Sequence, residues 1–138
     1  MKEQSINFET AILAKEKGFD IDCKLFYSTK DRPPMAYNIS AKESLSDNPQ
    51  YNKYMLAPTQ SLLAKWLREV HNIEVLVSRI PPEAILASKT SGKSILKNYN
   101  CYVWNYNSNP RVLNNGTFQD VYEEALEIGL QEALKLIP

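Results

Sequence analysis

Residues 58–80, PTQSLLAKWLREVHNIEVLVSRI, constrain the fold most tightly, because a helix pattern passes into a strand pattern with no linker between them. Leu62, Leu63, Trp66, Leu67 and Val70 recur at helical spacing and form one apolar stripe, with Ser61, Lys65, Arg68 and Glu69 opposite. Pro58 suits the first turn, where a missing N–H costs nothing. His71 and Asn72 mark the end, and then Ile73, Val75 and Val77 share a face at the period of two that defines a strand. Pro81 and Pro82 stop it. A stripe holding Trp66 and three leucines needs a sheet to cover it.

The flanking segments extend this pattern. Residues 5–17 read as a helix closed by a left-handed Gly18. IDCKLFYS alternates, with Ile21, Cys23, Leu25 and Tyr27 on one face and Phe26 interrupting the polar one. Residues 29–57 read as a long loop around one or two edge strands, MAYNI among them; loops of this length are often functional. Residues 83–98 fit either a short helix or one arm of a hairpin turning at Thr90–Lys93. NYNCYVWNYN is a strand by its aromatic and β-branched content, and SNPRVLNNG is turn chemistry. Asp120 and Glu123 are spaced as a capping box for a last helix. Its stripe runs Tyr122, Ala125, Leu126, Gly129, Leu130, Ala133, Leu134, Ile137. Gly129 there implies close approach of a neighbour, since glycine costs about 1 kcal/mol in a helix. The expectation is one α+β domain over residues 1–138. In it, about three helices pack mainly on one face of a 3–5-stranded antiparallel or mixed sheet.

Charge limits the partners. Sixteen basic residues balance sixteen acidic ones, so no overall field steers the chain to nucleic acid or an anionic membrane. Locally the balance breaks. Arg79, Lys89, Lys93, Lys97 and Arg111 face one acid, Glu83, for a charge of +4 over 79–111; from Val112 on, five acids and one lysine give −4. No apolar run suits a signal peptide or a membrane span, so a cytoplasmic protein with reduced Cys23 and Cys101 is expected.

Catalytic constellations fall short. Gly92-Lys93-Ser94 resembles the tail of a phosphate loop, but Ala87 stands where the first glycine belongs and the chain heads into a strand. His71, the only histidine, suits the negative end of a helix dipole. Cys23 and Cys101 sit on apolar strand faces at spacings that make no zinc site and no Cys–His pair. Glu123, Glu124 and Glu127 suit a helix N-terminus and solvent. No catalytic residue, metal ligand or cofactor is assigned.

One constellation is left open. Tyr102, Trp104 and Tyr106 share a strand face, with Lys93, Lys97 and Arg111 near in sequence. Such a row can be core under a helix, a protein-binding patch, or a platform for unpaired bases.

APTQSLLAKWLREVHNI (57–73) and YEEALEIGLQEALKLI (122–137) together resemble small proteins, without assigned activity, of intestinal anaerobic bacteria and their phages or prophages. ILAKEKGFD is a weaker third match. The resemblance implies a shared fold and a mobile-element setting, and it carries over no catalytic residue. Residues 29–56 and 83–113 show no such match, as a surface tuned to different partners would.

The expected function is therefore a non-enzymatic accessory or interaction protein that binds another protein or itself, away from membranes. Its surface would combine the 29–57 loop with an 88–111 hairpin through Tyr51, Tyr54, Tyr102, Trp104 and Tyr106. Weak single-stranded nucleic-acid binding on the basic, aromatic 79–111 segment, with Lys93, Lys97 and Arg111, is the alternative.

Overall fold

The computed structural model describes residues 3–23, 25–28, 35–36, 54–91, 97–107 and 111–138, with backbone alone at 28, 35–36, 54 and 111–117. The described elements run α1 (Phe8–Glu16), β1 (Leu25–Ser28), β2 (Met35–Ala36), β3 (Tyr54–Leu56), α2 (Gln60–His71), β4 (Ile73–Arg79), α3 (Pro82–Thr90), β5 (Tyr99–Asn105), β6 (Arg111–Gln119) and α4 (Tyr122–Lys135). The class is α+β, as expected, but the layout is not one sheet under three helices. The strands form two three-stranded antiparallel sheets, ordered β2-β1-β3 and β4-β5-β6. Among the described residues no helix is long and apolar enough to cross a membrane.

α4 lies on β4 and β5 and touches α1 and α2 as well; α1 in turn reaches β3, joining the two sheets through a helical layer. One apolar cluster runs through this layer from Ile6 to Ile137. α3 stands after β4 and packs broadly on none of these elements.

Local chemistry explains the boundaries. α1 begins at Phe8 rather than at residue 5, because Ser5 bridges to Thr59 and the Asn7 side chain accepts the Thr10 N–H at 2.9 Å. It ends as expected at Gly18, with φ 85°. The Gly18 N–H donates to Lys15 O and the Phe19 N–H to Ala14 O, closing a Schellman motif that buries Phe19. Thr59, not Pro58, opens α2: its hydroxyl accepts the Leu62 N–H at 3.2 Å, and Pro58 lies before the cap. The stripe of α2 buries Leu63, Trp66 and Leu67, whereas Val70 is 60% exposed. Asn72 takes the left-handed conformation, φ 56°, that turns the chain into β4.

Other expectations need correction. β1 covers only four residues, and both Phe26 and Tyr27 are buried, so neither of its faces is the polar one. Residues 82–90 are helical, with Pro82 in the first turn, which removes the hairpin arm. Gly92-Lys93-Ser94 lies outside the described residues, as does most of 29–53.

The largest miss is RVLNNG, read as a turn and found as strand β6. Two steps along β5, from Asn100 to Tyr102, match four along β6, from Phe118 to Asn114. The extra residues, within Asn115-Gly116-Thr117, form a bulge, so the turn chemistry bends a strand instead of ending it. Cys101 has no Cα partner on β6 there, and its N–H is taken by the Asn100 side-chain oxygen at 2.9 Å. No capping box forms at α4 either. Pairing of Gln119 with Tyr99 keeps the chain extended, so Val121 becomes the N-cap and makes no side-chain bond.

Candidate interaction surface

β4 and β5 divide their residues between two faces. Ile73, Val75, Cys101 and Val103 are buried toward α4, the face with the helix on it. A Cβ on Gly129 would lie 2.1 Å from Cys101 Sγ and 2.8 Å from Val75 Cγ1, which explains the glycine in that stripe. The close neighbours are side chains rather than backbone.

The other face carries the aromatic row. Glu74 is the Cα partner of Trp104 and Leu76 of Tyr102, and antiparallel partners share a face. Tyr102 and Trp104 are half-buried, whereas Leu76 is 47% and Tyr106 48% exposed. The row is therefore surface rather than core beneath a helix. Trp104 and Tyr106 stack with their planes 13° apart and centroids 6.1 Å apart. Beside them, Arg68, Asn72, Ile73, Glu74 and Tyr106 line a cleft of about 240 Å³. Arg68 pairs with Glu74 at 3.5 Å, and this exposed pair contributes little to stability.

The remaining expected contributors do not gather there. Lys97 is exposed but precedes β5, seven residues from Trp104, or roughly 20 Å at strand rise. Arg111 pairs with Asn105 through the backbone, at the same end of the hairpin as Tyr106, and its side chain is outside the described residues. Lys93 and Tyr51 also lie outside them. Tyr54 belongs to β3 in the other sheet, opposite Ser28. The hairpin itself is β5–β6, not 88–111.

Glu127 is the polar residue that sequence reasoning misplaced. Read as solvated, it is 7% exposed. Its Oε1 accepts the Asn7 N–H and the Thr10 hydroxyl at 2.7 Å, and its Oε2 accepts Gln60 Nε2 at 2.8 Å. Gln131 Nε2 donates to Thr10 Oγ1 at 2.9 Å, and Gln60 Nε2 also donates to Glu123 O. One carboxylate thus joins the N-terminus of α1 to α2 and α4, where the dipole of α1 favours negative charge. The legible signal was spacing, since Glu127 lies three and seven residues before the buried Leu130 and Leu134. Both oxygens are engaged, so this carboxylate serves as a structural acceptor.

The thiols are poorly suited to attack. Burial pushes Cys101 up to about 11, and burial likewise raises Cys23, so both stay protonated near neutrality. His71 Nε2 is buried without a hydrogen-bond partner, and its ring meets Trp66 edge-on at 4.5 Å. Among the described residues no three His, Cys, Asp or Glu side chains gather to hold a metal.

No family model, curated protein or solved structure matches the chain.

Proposed function

We propose that the protein is a non-enzymatic interaction protein whose recognition surface is the outward face of the β4-β5-β6 sheet. The observation carrying this is the row Leu76, Tyr102, Trp104 and Tyr106 on the face away from α4, with Leu76 and Tyr106 about half exposed. Tyr and Trp bring large contact area at low entropic loss, which suits an interface. By the resemblance of residues 57–73 and 122–137, we infer a phage or an integrated element as its setting.

Single-stranded nucleic acid is the second reading, favoured by the parallel Trp104–Tyr106 pair, since stacked rings accept bases. Against it, the cation described beside those rings, Arg68, is matched by Glu74. Fluorescence anisotropy with labelled single-stranded DNA and RNA, at low and near-physiological salt, separates the two. We expect no binding at micromolar protein. Binding that weakens steeply with salt and vanishes in Trp104→Ala would replace a protein partner with nucleic acid.

A further inference from the structure

A second surface lies at the far end of the same sheet. Pro82, Ile85, Leu86 and Lys89 recur at helical spacing and form one stripe of α3. With Arg79 and Asn98 they line a cleft of about 200 Å³. Leu86 is 64% exposed beside Ile85, on a helix that packs broadly on nothing else described. Arg79 and Lys89 are exposed, as is Lys97 beside Asn98, and none of the three makes an ion pair among the described residues. Glu83 falls outside both the stripe and the lining. The cleft mixes apolar side chains with polar surface, and Arg79 and Lys89 give it a basic edge.

Its complement lies on the same chain. Asp120, Glu123 and Glu124 surround Val121 and Tyr122, which are 44% and 45% exposed. That corner is apolar with an acidic rim: three acids against three bases. The two patches are neighbours, since Asn98 Nδ2 donates to Asp120 O at 3.5 Å. Adjacent, opposite patches suit a two-fold axis, because each copy then offers its corner to the other's cleft in one closed, isologous contact.

We propose that the occupant of the α3 cleft is the 120–124 corner of a second copy of this chain, giving a symmetric dimer separate from the aromatic face. Leu86 and Ile85 meet Val121 and Tyr122, while Arg79, Lys89 and Lys97 face the partner copy's acids. Three of the five basic residues of 79–111 and three of the five acids from 112 onward thus meet in one contact, in a chain of zero net charge. Nucleic acid fits this cleft less well, because no ring lines it to stack a base.

Sedimentation equilibrium on the full chain tests this. The wild type should form dimers whose dissociation constant rises with salt. Arg79→Glu/Lys89→Glu, and separately Asp120→Lys/Glu124→Lys, should each weaken dimerisation at least about tenfold, since like charges then meet. Mixing the two reversed variants should restore a dimer, because both contacts of that heterodimer are again matched; misfolding could not produce this rescue. A wild type that stays monomeric at every concentration would overturn the proposal. So would a dimer unaffected by either reversal, or reversed variants that remain folded yet fail to pair with each other.

Discussion

At Gly129 α4 lies close on the side chains of the sheet, and two effects compete there. Gly129→Ala would gain about 1 kcal/mol of helix propensity. The new Cβ, however, would overlap Cys101 Sγ and Val75 Cγ1, and overpacking of this kind costs roughly 1–3 kcal/mol. The clash wins because both neighbours are held within the sheet, so chemical denaturation should show net destabilisation. Combining it with Cys101→Ala should recover much of the loss, since the sulfur is the closest obstacle. Glu127→Ala should cost about 3 kcal/mol or more, because it strips the acceptor from Asn7 N–H, Thr10 Oγ1 and Gln60 Nε2 together. Cys101 also sets an alkaline limit. Its folded value lies above the ordinary 9.0, at about 11, so the folded state keeps its proton longer than the unfolded state. Stability should therefore be intact below pH 9 and fall as pH rises toward 11, with a gentler slope in Cys101→Ala. Tyr27, raised by burial and then by the charges of Glu127 and Glu9, continues the decline above pH 10 in both proteins.

At the scale of elements, Gly18 and Gly129 act through different physics. A Cβ at Gly18 would meet nothing within 4 Å, yet φ there is 85°. Gly18→Ala should therefore cost about 1 kcal/mol from backbone conformation alone, measured by thermal or chemical unfolding. Removing a neighbouring side chain should not rescue it, unlike Gly129→Ala. This contrast also marks how far the sequence could be read. The end of α1, the α2-to-β4 junction and the close approach at Gly129 were legible because each rests on a few adjacent residues. β6 was not, since Asn115 and Gly116 announce a turn in isolation and only pairing with β5 turns them into a bulge. The cap of α4 was lost for the same reason, as the ladder reaching Gln119 outweighs a capping box at Asp120. For the candidate site, the alternation of β5 separated its faces correctly. Which face α4 covers depends on where the chain brings the last helix back, and no local pattern carries that information.

For the whole molecule, the division of the second sheet into a covered face and an open one underlies the proposed function. Trp66 and Trp104 sample the two environments, the first 4% exposed in the core and the second half-buried on the open face. Trp66→Ala should cost about 3–5 kcal/mol. Trp104→Ala/Tyr106→Ala should leave a folded protein whose deficit lies in binding, which makes the double variant a usable bait. The measurement to make is capture from lysate of the producing cells on immobilised wild type and on this variant, with and without nuclease. If the open face recognises a protein, one protein will be retained by the wild type, lost by the variant and unaffected by nuclease. Equal retention on both baits, or retention that nuclease abolishes, would contradict it.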